Sequence, residues 1–259
     1  MLALHNQSCP RSGFSAQKLS LLLFLLLLGF CIWNVSFKKY QASPATPERS
    51  DQNDLLADFD SPNPTRYPSI SRRRERALLH KYMQTSKIYL EFGSGGSTFD
   101  ALKIMNASNQ VVYSVEGNQE WYDYLKQWKF IRDKIAQKKL NFILAYIGPT
   151  TRLSYPKKEM SALFPNYYNI LHTPVASTVD TVFIDGRFRV MCTLQVVKHC
   201  PSTVRILIHD WSIRPQYHIL LNYLEIVDYA DSLYVFSVKR DMNDTALSAD
   251  MEKYRNVML

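Results

Sequence analysis

The stretch from Lys87 to Thr98, KIYLEFGSGGST, constrains the fold of this chain more than any other. A short apolar run ends in an acid, Glu91, and three glycines then fall within four positions. Glycine suits places where the backbone turns tightly or lets a ligand lie directly against it. Residues 99–105 have the spacing of a helix. The stretch therefore predicts a strand, a glycine turn and a helix, which form the first half of a βαβ unit.

A second apolar strand, residues 111–115, ends in Glu116, eighteen residues past Thr98. An acid in this place can bind the two hydroxyls of a ribose, so the pattern predicts a nucleoside site. The dinucleotide fingerprint G-x-G-x-x-G does not fit, because Thr98 stands where its third glycine belongs. A tight strand–helix turn without a ligand is the alternative interpretation.

The pattern Glu91-x-Gly93-x-Gly95, closed by Glu116, resembles the class I S-adenosylmethionine-dependent methyltransferases. The resemblance covers about residues 70 to 255 and includes the runs FIDGRFR and LIHDW. It implies a doubly wound, mostly parallel Rossmann-like sheet with helices on both faces, and S-adenosylmethionine as cofactor. Glu91 would then meet the amino-acid end of the cofactor, and Trp121 would border its adenine or serve as packing. The residues predicted to bind the cofactor are Glu91, Gly93, Ser94, Gly95, Gly96, Glu116 and Trp121.

Two further predicted strands, residues 179–184 and 204–208, end in acids. Asp185 follows the first, and His209 and Asp210 follow the second. Ligands of such sheets collect beyond the carboxyl ends of the strands, so these side chains should converge there. Asp185 and His209 are the predicted bases for a hydroxyl acceptor, because His209 can be neutral at working pH. A helix-capping aspartate and a structural histidine are the alternatives.

The resemblance also implies roles for charged residues at this edge. Asp185 and Asp210 match the acids that bind a divalent ion, such as Mg²⁺, in catechol-type and sugar O-methyltransferases. Trp211 stands where the catechol-type enzymes have asparagine. The sequence further predicts a clamp for a carboxylate or sulfate on the acceptor, with ordinary surface charge as the alternative. The predicted clamp consists of Arg187, Arg189 and Arg214.

Residues 19–37 carry no charge and are long enough to cross a bilayer. They predict a signal anchor, with a cleavable signal peptide as the alternative. The predicted organisation is a tail (1–18), one transmembrane helix (19–37), a Pro-rich stem (38–68) and a methyltransferase-like domain (69–259). Such a chain is a single-pass membrane protein of the secretory pathway, with its domain in the lumen of the endoplasmic reticulum or Golgi. The formal charge of +8 accompanies no recognition motif, so no nucleic-acid partner is expected.

The remaining pattern predicts one helix over residues 120–138 and a helix over 215–229 before a sixth strand at 232–238. It locates no antiparallel seventh strand. The long segment 148–178 contributes part of the acceptor pocket or is a surface excursion. Together these features predict O-methylation of a polar glycan or sugar-like acceptor. The alternatives are a lipid or small-molecule methyltransferase, an NAD-dependent oxidoreductase, and a membrane-tethered binding module without turnover.

Overall fold

Seven strands form one mixed sheet in the computed structural model, which describes residues 59–64, 67 and 72–258. The strands are β1 Ile88–Phe92, β2 Val111–Glu116, β3 Leu140–Leu144, β4 Thr181–Ile184, β5 Arg205–Ile208, β6 Leu224–Ala230 and β7 Leu233–Val238. Their order across the sheet is β3-β2-β1-β4-β5-β7-β6. Neighbours from β3 to β5 are parallel, whereas β7 runs antiparallel to both β5 and β6.

Helices cover both faces of this sheet, as the sequence predicts. They are α1 Arg73–Thr85, α2 Gly96–Ile104, α3 Gln119–Lys126, α4 Lys129–Ala136, α5 Pro165–Tyr168, α6 Arg189–His199 and α7 Asp244–Tyr254. Side chains alternate along a strand, and in β1 Leu90 and Phe92 join one buried apolar cluster while Tyr89 joins another. The sheet is therefore buried on both sides, and its carboxyl edge is left for a ligand.

The C-terminal part differs from the prediction. The predicted helix 215–229 is a short 3₁₀ helix, Pro215–Asn222, followed by the edge strand β6. The predicted sixth strand, 232–238, is β7, which runs antiparallel to β5, and β6 is the strand that the sequence did not locate. Ile226 and Val227 of β6 are exposed, so this strand lacks the alternation of apolar and polar residues that identifies a half-buried strand.

The predicted helix 120–138 is two helices. Trp128 has an extended backbone conformation between α3 and α4 and is fully buried. Its ring contacts Phe99 of α2 at a centroid distance of 5.3 Å. The break in the helix at Trp128 directs the indole into the core. The apolar residues keep a helical spacing across the break, so the sequence pattern does not reveal it.

The packed part of the chain begins before the predicted boundary at residue 69. Phe59 lies against Trp128, with ring centroids 4.7 Å apart. Tyr67 stacks on Phe99 and donates a hydrogen bond of 2.5 Å to Asp100. The predicted anchor, residues 19–37, lies outside the described residues. Among the helices that the structure does describe, none has the length and apolar character that crossing a membrane requires.

Candidate functional site

The turn between β1 and α2 packs backbone to backbone against the turn after β4. Gly93 has a φ of +97°, which glycine adopts without steric cost. A Cβ atom on Gly93 would lie 2.7 Å from the backbone of Gly186 in the second turn. The ends of β1 and β4 are therefore held together at the point where the strand order reverses, which is where doubly wound sheets bind ligands.

A cavity of about 670 Å³ opens beyond the carboxyl ends of β1, β2 and β4. The long segment after β3 forms one wall through Leu153 and Ser154. All predicted cofactor residues except Glu91 line it: Gly93, Ser94, Gly95, Gly96, Glu116 and Trp121. The same cavity is lined by Asp185 and Arg187, so residues predicted for the cofactor and for the acceptor open into one space.

Glu116 is held at the end of β2 by backbone amides. Its carboxylate accepts hydrogen bonds from the N–H groups of Gly117 at 2.9 Å, Asn118 at 2.8 Å and Ser94 at 3.2 Å. Burial raises the pKa of this carboxyl, and the amide donors oppose that rise. A carboxylate fixed in this way presents its remaining acceptor positions to hydroxyl groups in the cavity.

Trp121 both packs and lines the cavity, so its packing role is observed and its contact with adenine stays a prediction. Its Nε1 donates a hydrogen bond of 2.8 Å to the carbonyl oxygen of Ser94 in the glycine turn. The ring stacks on Tyr124 with a centroid distance of 5.0 Å. The indole is thereby fixed over the turn as a flat apolar wall.

Asp185 lies at the end of β4 and is partly exposed to the cavity. Its Oδ1 atom lies 2.9 Å from Nδ1 of His209 and 3.0 Å from Nη2 of Arg189. Burial opposes ionisation, but the charge of Arg189 and the hydrogen bond from His209 outweigh it and hold the pKa of Asp185 below its usual range. Asp185 is therefore a carboxylate at neutral pH.

The surroundings of His209 favour a charged imidazole over the neutral base that the sequence predicts. Its Nδ1 faces Asp185, and its Nε2 lies 3.3 Å from Oε2 of Glu75 on α1. Burial lowers the pKa of His209, but the bond and charge of Asp185, with the charges of Asp210 and Glu75, raise it to about 9. At neutral pH the imidazolium donates both N–H groups to carboxylates and has no position at which to accept a proton.

A solved structure with the same architecture is a methyltransferase-like protein from Silicibacter pomeroyi. It is 25% identical to this chain, with a TM-score of 0.63 over 73% of this chain and 97% of that one. The chain has the class I S-adenosylmethionine-dependent methyltransferase fold. The antiparallel β7 between β5 and β6 also separates this methyltransferase sheet from the dinucleotide-binding order 3-2-1-4-5-6.

Two other similar structures share less with the chain. A putative caffeoyl-CoA O-methyltransferase from Staphylococcus aureus is 14% identical, with a TM-score of 0.46 over 80% of this chain and 98% of that one. An O-methyltransferase from Bacillus cereus in complex with SAH is 13% identical, with a TM-score of 0.46 over 79% and 97%. No family model and no curated protein matches the chain.

Glu91 does not line the cavity in which the methyltransferase resemblance implies its contact with the cofactor. The side chain is fully buried beneath the turn rather than in the cavity wall. Its carboxylate accepts hydrogen bonds from the hydroxyls of Thr98, Ser114 and Tyr89. The Thr98 hydroxyl in turn accepts the N–H of Gly95 at 2.9 Å. Glu91 therefore organises the glycine turn from below.

Stability should fall as pH rises from about 4.5 to about 7, and Glu91→Gln should remove most of this dependence. Burial raises the pKa of Glu91 to about 7 from an ordinary 4.5, although its hydroxyl donors oppose the rise. The folded state then binds more protons than the unfolded state within this window. By linkage, the full pKa shift contributes about 3 kcal/mol to the free energy of unfolding. This contribution is present at the acid end and is lost as the pH passes 7.

Urea unfolding of both proteins at several pH values measures this difference. Glu120→Gln, on the exposed first turn of α3, is the matched control and should keep the wild-type dependence. If the free energy of unfolding depends on pH equally in wild type and in Glu91→Gln, the assignment of this dependence to Glu91 is contradicted.

The three arginines of the predicted acceptor clamp separate into two groups. Arg189 is 3% exposed and bonded to the acids, so its predicted role in binding the acceptor is wrong. Arg187 lines the cavity, with its guanidinium 4.3 Å from the ring centroid of Tyr155. Arg214 lies 3.3 Å from Asp210 and also interacts with Tyr155. Arg187 and Arg214 therefore remain candidates for the acceptor clamp, and both interact with the phenol of Tyr155.

Glu75 is the site residue that sequence reasoning missed. It is fully buried on α1 and accepts hydrogen bonds from the backbone N–H of Ser232 at 2.9 Å and from its hydroxyl at 2.6 Å. Its other oxygen faces His209. The sequence signal that could have identified Glu75 is the position of an acid on the apolar side of α1. An unpaired charge is costly there, so the acid requires a partner.

Proposed function

We propose that this protein transfers the methyl group of S-adenosylmethionine to a hydroxyl oxygen of a polar, glycan or sugar-like acceptor. The observation that carries the proposal is that the ionised Asp185 lines the same cavity as the glycine turn and Glu116. In this proposal the proton acceptor and the nucleoside site share one space beyond the carboxyl edge of a methyltransferase-type sheet.

The transfer is an in-line displacement at the methyl carbon. The acceptor oxygen would form the new C–O bond while the C–S bond breaks. The electron pair of the broken C–S bond would stay on sulfur to give S-adenosylhomocysteine. The hydroxyl proton passes to the carboxylate of Asp185 and from there to solvent. A hydroxyl is a poor nucleophile and needs this deprotonation, whereas alignment of donor and acceptor supplies most of the remaining acceleration. His209 and Arg189 hold Oδ1 of Asp185 and so fix the direction of the carboxylate.

Arg187, which lines the cavity, and the neighbouring Arg214 and Tyr155 support the proposal that the acceptor carries an acidic group. Burial opposes ionisation of Tyr155, but the charge of Arg187 and the hydrogen bond from Arg214 outweigh it and lower the pKa of the phenol. Guanidinium groups bind carboxylate and sulfate through paired hydrogen bonds, and an aromatic face packs against a sugar ring. An acidic sugar matches both properties.

The location is also part of the proposal. Residues 19–37 would anchor the chain as a single-pass protein of the endoplasmic reticulum or Golgi, with its catalytic domain in the lumen. Full-length protein should then resist carbonate extraction, and Asn106 or Asn243, which lie in N-glycosylation sequons, should carry glycan. A soluble product that lacks its N-terminus would indicate a cleaved signal peptide instead.

Calorimetry and label transfer test the proposed reaction with full-length protein in detergent. We expect S-adenosylhomocysteine to bind and NAD not to bind. Labelled S-adenosylmethionine is then supplied with separate pools of glycans, lipids and proteins. Label on glycan oxygen is the expected result. Label confined to protein nitrogen would overturn the oxygen assignment, and label confined to lipid would overturn the glycan assignment.

Glu116→Gln should weaken binding of S-adenosylhomocysteine by about 1–3 kcal/mol, the usual effect of removing a charged hydrogen-bond partner. Calorimetric titration of the variant measures this loss. Glu120→Gln, four positions further along at the exposed start of α3, should bind as the wild type does. Unchanged affinity in Glu116→Gln, with an unchanged unfolding midpoint, would remove the ribose assignment.

A further inference from the structure

Asp185, His209 and Asp210 bring three ligand-type atoms within 4.8 Å of one another. Two of these residues, Asp185 and Asp210, are the acids for which the resemblance implies a divalent cation. Carboxylate oxygens are suitable ligands for Mg²⁺, which requires them at about 2.0–2.1 Å in near-octahedral geometry. Whether they fit an ion depends on what already lies between them.

The guanidinium of Arg189 lies between the two carboxylates. Its Nη2 is 3.0 Å from Oδ1 of Asp185, and its Nη1 is 3.2 Å from Oδ2 of Asp210. The same group donates to three backbone carbonyl oxygens: Gly186 at 3.1 Å, His209 at 2.7 Å and Asp185 at 3.2 Å. Arg189 is the first residue of α6 and is 3% exposed, so this position is built into the fold.

A divalent cation does not fit this cluster while Arg189 is in place. Arginine does not deprotonate in proteins, so an added ion would place two more positive charges beside the guanidinium. Displacing the side chain would leave its buried N–H groups without acceptors, and each unsatisfied group costs free energy. His209 offers no compensation, because both of its ring nitrogens already face carboxylates.

We propose that Arg189 is the resident cation of this acid cluster and holds Asp185 and Asp210 in place of a divalent ion. The consequence of this assignment for catalysis is methyl transfer without a metal, and this consequence rests on the proposed function. Arg189 acts through Asp185 and is therefore a positioning residue. It keeps Asp185 ionised and fixes the direction of its carboxylate, whereas a bound cation would act on the acceptor hydroxyl by lowering its pKa.

Titration with Mn²⁺, followed by electron paramagnetic resonance, tests the structural part on full-length protein in detergent. Wild type should leave added Mn²⁺ free, whereas Arg189→Met should bind it at least about tenfold more tightly, because the repelling charge is removed and two carboxylates become available. Arg189→Lys retains the charge and should exclude the ion. Arg132→Met, which removes an exposed arginine from α4, is the matched control.

Tight binding of Mn²⁺ by wild type that Asp210→Asn abolishes would overturn the proposal, and so would an absence of gain in folded Arg189→Met. The wild-type measurement decides the question even if that variant does not fold.

Activity gives an independent readout. Chelator should leave the wild-type rate within about twofold, because no metal takes part in the step. Arg189→Lys should lower kcat and leave the affinity for S-adenosylhomocysteine unchanged, as expected of a residue that acts on the base. A rate that chelator abolishes and Mn²⁺ restores would overturn the proposal. If no methyl transfer occurs at all, the proposed function fails, and the Mn²⁺ titration still decides the role of Arg189.

Discussion

Asp185→Asn is expected to slow methyl transfer by about a hundred- to ten-thousand-fold, the range associated with loss of a general base. The amide has nearly the same shape and keeps an oxygen that can face His209 and Arg189, but it cannot accept the hydroxyl proton. Binding of S-adenosylhomocysteine should stay within about twofold of wild type, because the proposed ribose contact belongs to Glu116 and not to Asp185. Single-turnover label transfer and calorimetry measure the two quantities separately.

Asp123→Asn, an exposed acid on α3, is the control for Asp185→Asn and should have no effect on either quantity. A rate within tenfold of wild type in a folded Asp185→Asn protein would assign the proton acceptor elsewhere. Equal losses of rate and of cofactor affinity would mean that the substitution had damaged the cavity itself.

Gly93→Ala is expected to destabilise the domain by about 4 kcal/mol or more, because two independent costs combine. The φ of +97° is strained for alanine, and the added Cβ would lie 2.7 Å from the backbone of Gly186. Neither backbone can move without separating the ends of β1 and β4. Chemical denaturation, followed by circular dichroism, measures the loss.

Gly95→Ala is the matched control for Gly93→Ala. It changes the same turn, but the nearest side-chain atom to its added Cβ is 4.0 Å away, in the ring of Trp121. It should cost about 1 kcal/mol or less, as for an ordinary substitution of glycine. If both variants unfold at the same denaturant concentration, the close approach of the two turns is not what stabilises this edge.

The glycine turn and the strand-ending acids were predictable because their signals are local. Gly93 and Glu116 each stand at the end of an apolar run, and parallel strands bring such ends to one edge. The partners of those acids were not predictable in the same way. Glu75 reaches His209 from a helix 134 residues earlier, and no spacing rule joins two residues that far apart.

Local patterns also failed where the surroundings decide the direction of a side chain. Glu91 follows the first strand in the place where the resemblance puts a cofactor contact, yet three nearby hydroxyls turn its carboxylate under the turn. The hairpin of β6 and β7 was obscured because an exposed edge strand can carry apolar residues such as Ile226 on its outer side. The sequence predicts an acceptor clamp at Arg189, with surface charge as the alternative, and only the fold places this residue between two acids.

The bond between Glu75 and Ser232 connects the β6–β7 turn to Asp185, the proposed base. Ser232 fixes Glu75, Glu75 fixes His209, and His209 fixes Asp185. Within the described part of the chain, the predicted cofactor residues that follow β1 and β2 take no part in these three contacts. Natural variation near Ser232, far from the cavity, should therefore change turnover and leave cofactor occupancy unaltered, so that a variant saturated with S-adenosylmethionine could still be catalytically silent.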